Sequence, residues 1–193
     1  MNKERCAWVT DDALYQKYHD EEWGHPRNLN NDAYLFEMLT LEGAQSGLSW
    51  LTILKKRETY REAFLNYDLK LISHFSETDI DGLVNNKGVV RHRKKIESVV
   101  NNASVFIKVQ EEYGDFLSFL KKVIPLNFPV NNQWESIEEV PSETPESKIL
   151  SKELKKIGFK FIGPVTCYSF MQSVGIVNDH VNNCFLKNKG GKY

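Results

Sequence analysis

The sequence predicts an all-α fold. Three observations carry that reading: apolar residues recur at helical spacing, capping residues stand before several of these runs, and no alternating strand pattern or internal repeat occurs. The 193 residues supply ample material for a core, in a single domain spanning 1–193 or in two small helical lobes.

Residues 1–26 hold Cys6, Trp8, Tyr15, Tyr18, His19 and Trp23, closed by the breakers Gly24 and Pro26. Tyr15, Tyr18 and His19 stand at i, i+3 and i+4, so a short helix places them on one face. Such a density of aromatic side chains either lines a cavity or packs an N-terminal arm on the core. Residues 32–40 predict an amphipathic helix with Asn31 as N-cap, Leu35, Phe36 and Leu39 on its inner face, and Glu42 in its last turns. Residues 51–64 predict a second helix and 68–75 a short one. Ser76-Glu77-Thr78-Asp79 is a capping signal for a helix through Leu83 and Val84.

Past Gly88, the cluster Arg91, His92, Arg93, Lys94 and Lys95 opens a long helix marked by Ile96, Val99, Val100, Ala103, Phe106 and Ile107. This is the densest basic run, either a solvated face or a phosphate contact. A short helix is expected over 113–124 and a long loop over 125–143, which holds Pro125, Pro129 and Pro141. Thr144-Pro145 supplies an N-cap and a first helical residue for a helix through Leu150, Leu154 and Ile157, ended by Gly158. The next helix starts at Pro164 and runs to Val174, with Gly175 beyond it. The two helices and the turn 158–163 form a helix-hairpin-helix candidate over about 148–174. Its outward N–H groups between Gly158 and Gly163, beside Lys155, Lys156 and Lys160, suit a DNA phosphate. The tail, KNKGGKY, is polar, Gly-rich and expected to fray.

Lys plus Arg number 25 against 26 acidic residues, a net charge of −1, so a nucleic-acid role cannot rest on global basicity and needs a local patch. No apolar stretch is long enough for a membrane helix, and the N-terminus lacks an apolar signal core, so a cytoplasmic location is expected. Three cysteines argue against a disulfide framework and leave metal binding or buried thiols.

The stretch 41–50, LEGAQSGLSW, concentrates the chemistry. It sets a lone carboxylate, Glu42, near a large flat ring, Trp50, with Gly43 and Gly47 leaving room for close backbone approach. That combination suits a planar nitrogenous ligand, or else it is a helix-end Glu and a core Trp. A second constellation joins the two chain ends. His180 and Cys184 lie four apart, so a helical turn points them the same way. With Cys6 and His19 they complete the Cys2His2 set of a closed structural zinc site, joining 1–26 to 176–186. Cys167, among Val165, Tyr168 and Phe170, reads as a core thiol.

Nearly the whole chain resembles the DNA-3-methyladenine glycosylase I family of bacterial alkylation-repair enzymes. The likeness covers RCAWV, YHDEEWG, LFEMLTLEGAQSGLSWLTILKKRE, GVVRHRKKI, KKIGFKFIGPVTCYSFMQSVGIVNDH and the final Cys184. It implies an all-helical helix-hairpin-helix glycosylase fold with one structural Zn2+ on Cys6, His19, His180 and Cys184. It also implies a base pocket of Glu42 and Trp50 with Tyr18, Trp8, Tyr15 and Trp23 close by. The implied partner is double-stranded DNA carrying alkylated bases, acted on by a monomer without strand cleavage, with free 3-methyladenine as product. Leu48, on the turn 47–49, is the candidate wedge for the vacated base stack. Where relatives with this hairpin carry a promoting Asp, the match here is Asn178, with Asp179 adjacent. A DNA-binding module without catalysis and a glycosylase for another alkylated purine are the alternative readings.

Overall fold

A computed structural model describes residues 3–187. Ten α-helices, three short 3-10 helices and one two-stranded parallel ladder occur among them. The N-terminal half holds α1 (Ala13–Glu21), α2 (Asp32–Gln45), α3 (Trp50–Leu54), α4 (Arg57–Ala63), α5 (Leu69–Ile72) and α6 (Glu77–Asn85). The long α7 (Arg93–Tyr113) and α8 (Phe116–Val123) follow, then β1 (Val130–Asn131), α9 (Pro145–Ile157), α10 (Pro164–Ser173) and β2 (Val177–Asn178).

The caps read from sequence hold their helices. Asn31 accepts from the Tyr34 N–H at 3.1 Å, Ser76 and Asp79 form a reciprocal capping box, and Thr144 pairs with Ser147 ahead of Pro145. Two expected helices are divided. Residues 51–64 break at Lys55-Lys56, where the chain tightens so that Arg57 turns inward to meet Glu37 and Glu22. Residues 113–124 break at Gly114, and Asp115 caps α8 by accepting from the Ser118 N–H. Within the expected loop, β1 pairs with β2, Val130 opposite Val177, and ties 125–143 to the segment after α10. The expected fraying concerns residues 187–193, of which 188–193 lie outside the described residues.

The centre of the molecule is α2. Every residue from Leu35 to Glu42 is buried, as in a helix surrounded on all sides. Packed around α2 are α3, α7, α8 and α10, and α9 lies against α10. Stacked rings of Phe106 and Phe116, 4.3 Å apart, with Phe36 edge-on to Phe106, fill the space between α2, α7 and α8. Beyond α10, Gly175 lets the chain pass the N-terminal arm. A Cβ there would come within 2.3 Å of the His25 carbonyl carbon, so only glycine fits.

Candidate active site and metal cluster

The aromatic residues of the N-terminal arm do line a cavity. It measures about 320 Å³, is open to solvent, and is bounded by Trp8, Tyr15, Tyr18 and Trp23 from the arm, Glu42 and Gln45 from α2, and Trp50. Ser169 and Gln172 of α10 and Ile137, Val140 and Pro141 of the 125–143 segment complete its wall. Tyr18 and Trp50 lie with ring centroids 5.4 Å apart, and Trp8 packs against Tyr15 at 5.0 Å and edge-on to Trp23 at 5.1 Å. All five aromatics expected at a base pocket are therefore in one place, together with Glu42.

Helix α2 carries two buried carboxylates with opposite treatment. Glu37 accepts from Arg57 and Arg61, each at 2.8 Å, an arrangement that fastens α4 to α2. Glu42, 5% exposed, has no ion pair among the described residues, and its Oε2 has no hydrogen-bond partner. Burial pushes its carboxyl up to about 8, offset in part by a hydrogen bond with Ser173. Burial, together with the nearby Glu42 carboxyl, also holds the Tyr18 phenol well above its ordinary range. The Trp50 Nε1–H is the second buried polar group of this cavity without a partner. An unmatched acceptor and an unmatched donor inside an aromatic slot are costly to folding unless a ligand answers them.

Cys6, His19, His180 and Cys184 converge at full burial, with their ligating atoms all within 4.8 Å of one another, and could hold a metal ion. Cys184 Sγ lies 3.4 Å from His180 Nδ1 and 3.5 Å from His19 Nε2, and Cys6 Sγ lies 3.5 Å from His180 Nδ1. These separations match the edge of about 3.5 Å expected between S and N ligands on a tetrahedral metal. The second ring nitrogens fix the tautomers. His19 Nδ1 donates to Asp20 at 2.9 Å and His180 Nε2 donates to the Trp23 carbonyl at 3.1 Å, which leaves lone pairs on His19 Nε2 and His180 Nδ1. The neighbouring Cys6 thiol and the two imidazoles lower the Cys184 thiol. His180 and Cys184 lie on a tight turn, with the Cys184 N–H bonded to the Val181 carbonyl, rather than on the expected helical turn. Cys167 is a core thiol, pushed up to about 12 by burial.

Between Gln45 and Trp50, which line the cavity, Leu48 is 41% exposed on the turn between α2 and α3, where Gly47 adopts φ +83° with open space around it. Gly47 thus serves the turn rather than a close approach, and a Cβ on Gly43 would be in ordinary contact with the Phe161 carbonyl. The turn 158–163 joins α9 to α10, with Lys160 and Phe161 outward and Phe159 and Ile162 buried. Gly158 ends α9, and Gly163 precedes α10, whose first N–H groups receive no side-chain cap. The basic run 91–95 is not a uniform free face. Lys95 donates to the Ala44 and Ser46 carbonyls at 2.9 and 2.7 Å, closing the C-terminus of α2, and Arg93 pairs with Glu77 and Asp81.

The methyladenine glycosylase family model matches residues 8–187. The chain belongs to the methyladenine glycosylase family. It is 47% identical to a DNA-3-methyladenine glycosylase of Haemophilus influenzae, covering 95% of this chain and 97% of the relative. It is 45% identical to DNA-3-methyladenine glycosylase 1 of Escherichia coli, over 94% and 95% of the two chains. A Staphylococcus aureus 3-methyladenine DNA glycosylase I, solved to explain 3-methyladenine recognition, superposes with a TM-score of 0.89 at 39% identity, covering 95% of this chain and 96% of that one.

In this methyladenine glycosylase family member, the aromatic lining is legible in the sequence and the polar wall is not. Gln45 stands three residues after Glu42, and Ser169 and Gln172 are three apart on α10, so helical spacing alone could have set them facing one cavity. The 137–141 contribution had no local signal, since it depends on the ladder between β1 and β2. Asn178 and Asp179 are both buried. Asn178 bonds Asn131 and accepts from the His180 N–H, while Asp179 accepts from Asn132, Trp134, Tyr168 and Gln172.

Proposed function

We propose that this protein is a monofunctional DNA-3-methyladenine glycosylase of base-excision repair. It flips the damaged nucleotide out of duplex DNA, hydrolyses its N-glycosidic bond and leaves an abasic site without cutting the strand. The observation that carries the reading is a buried, unpaired Glu42 carboxyl in an aromatic cavity sized for one base. The names of the relatives and the Staphylococcus aureus structure's concern with 3-methyladenine support it.

N3-methylation leaves adenine cationic, so the C1′–N9 bond is already weak and the base departs neutral. Water supplies oxygen to C1′, and its proton is released. The enzyme therefore needs extrusion and a slot rather than a strong acid. Trp50 and Tyr18 hold the cationic ring, a cation–π attraction of roughly 0.5–2 kcal/mol. Glu42 accepts hydrogen bonds from the base edge, and the arriving positive charge restores its ionised form, worth roughly 1.5–3 kcal/mol. Trp8, Tyr15 and Trp23 close the cavity around the base. Neutral adenine, lacking the charge, gains least.

The remaining roles belong to the same proposal. The chain acts as a single domain, 1–193, and as a monomer in the bacterial cytoplasm. Helices α9 and α10 form a helix-hairpin-helix, with Gly158, Lys160 and Gly163 at a DNA phosphate. Leu48 fills the vacated stack. Zinc on Cys6, His19, His180 and Cys184 would crosslink the chain ends, as the closed donor set has no position for a reacting water.

The experiment is release of free base from methylated duplex DNA, resolved by chromatography. Release of 3-methyladenine, with 7-methylguanine retained, is the expected result. No release from folded, metal-loaded protein overturns the proposal in favour of a binding module, and release of another purine alone moves the substrate.

A further inference from the structure

We propose that Gln172 sets the preference for a 6-amino purine over a 6-oxo purine, and that Asp179 is the positioning residue that makes it able to. The inference rests on the glycosylase reading of the cavity.

Gln172 is half-buried on the cavity wall. A free glutamine amide discriminates little, because it can turn over and offer either its oxygen or its NH2 group. Here it is held. Asp179 is fully buried and accepts four hydrogen bonds. Asn132 Nδ2 donates to Oδ1 at 2.7 Å and Trp134 Nε1 donates to Oδ1 at 2.9 Å. The Tyr168 hydroxyl donates to Oδ2 at 2.6 Å and Gln172 Nε2 donates to Oδ2 at 2.8 Å. The indole can only donate, so Oδ1 is an acceptor, and Oδ2 receives the phenol. The Gln172 amide must therefore turn its nitrogen to Asp179, which spends one of its two N–H groups and leaves its oxygen without a hydrogen-bond partner among the described residues.

The wall then offers one acceptor of fixed sense, Gln172 Oε1, beside the Glu42 carboxyl and the buried, unpartnered Trp50 Nε1–H. Tyrosine hydroxyls rotate and favour neither. A purine with an exocyclic amine at C6 presents donors to such a wall. A 6-oxo purine presents an oxygen, and setting acceptor against acceptor in a buried site leaves both unsatisfied. The same carboxylate also ties Asn132 and Trp134 of the 125–143 segment to α10, so the wall and its selectivity share one anchor.

The test is equilibrium binding of two free bases, 3-methyladenine and 3-methylhypoxanthine, to the metal-loaded full chain, read by tryptophan fluorescence. The wild type is expected to prefer 3-methyladenine. Gln172→Met, which keeps the length and removes the acceptor, should narrow that preference roughly tenfold, the size of one buried hydrogen bond. Asp179→Asn frees the amide to turn over and should narrow it alike, with no further loss in the double variant, a coupling that mere loosening of the fold does not produce. Gln172→Met decides the matter alone if Asp179→Asn does not fold. An unchanged preference in Gln172→Met overturns the inference and leaves the glycosylase reading standing. A wild type that binds neither base overturns that reading itself.

Discussion

His180 donates to the Trp23 carbonyl at 3.1 Å and stands edge-on to the Trp23 indole at 4.8 Å, so the metal cluster and the aromatic cavity share a wall. His19 adds to it by lying nearly parallel to Trp23, with centroids 6.2 Å apart. The Cys/His cluster is thus also the backing plate of the pocket.

Removing the metal should cost stability first. The cluster closes a loop between residues 6 and 184, and a crosslink over so long a loop is worth roughly 3–5 kcal/mol. Cys6→Ser with Cys184→Ser, or chelation, should lower Tm by roughly 10 °C. The turnover of protein still folded at 25 °C should fall much less. Metal analysis that finds no zinc in carefully purified protein, or an unchanged Tm after chelation, would end the zinc assignment.

Glu42→Gln should fold and lose excision. The amide keeps the shape but cannot match the charge of the base, so kcat/KM for 3-methyladenine should drop by roughly 10- to 100-fold. In the wild type, the ionised form is scarce below about 8, so kcat/KM should rise with pH and level off above that value. The glutamine variant should lack this rise. Equal turnover in the two proteins would remove Glu42 from the site.

The same carboxyl should make stability fall with pH. Its folded value of about 8 lies above the ordinary 4.5, so between these the folded state holds a proton that the unfolded state has released. Stability from this group is full below about 4.5 and is lost as pH rises through 8. The Tm of Glu42→Gln minus that of the wild type should therefore grow from pH 5 to pH 8.5. A difference that stays flat would mean that Glu42 is not held neutral by burial.

Leu48→Ala tests the wedge. Its exposure on the turn between α2 and α3 leaves it no core to support, so the variant should keep its Tm. Excision from duplex should slow while excision from single-stranded DNA holds, because only the duplex has a stack to fill. Equal slowing on both substrates would assign Leu48 to the pocket instead.

What was legible in the sequence follows from range. Caps such as Asn31, Ser76 and Thr144 act within one turn, and each holds its helix. The cluster Cys6, His19, His180 and Cys184 was legible because so few ligand types are compatible with one ion. The break at Lys55-Lys56 was not, since it answers to Glu37, 20 residues before Arg57. Nor was Gln172's orientation, which Asp179 decides from beyond the helix end.

Lys95 and Lys160 illustrate the same limit and can be separated by salt. Both are cations that sequence assigns to the DNA face, yet Lys95 Nζ is spent on the Ala44 and Ser46 carbonyls and burial lowers its ammonium. Those bonds answer the last carbonyls of α2, the helix that carries Glu42, where a cation also meets the negative end of the helix dipole. Lys160 is exposed, and Asn102 holds its backbone from both sides, donating to its carbonyl at 3.0 Å and accepting from its N–H at 2.8 Å. Lys160→Ala should therefore leave Tm unchanged and reduce the slope of log affinity against log salt by about 0.9, one phosphate contact. Lys95→Met should do the reverse, lowering Tm by a few degrees for a loss of about 1–2 kcal/mol, with the slope preserved. A reduced slope in Lys95→Met would place that ammonium on DNA and leave the end of α2 to be held by other groups.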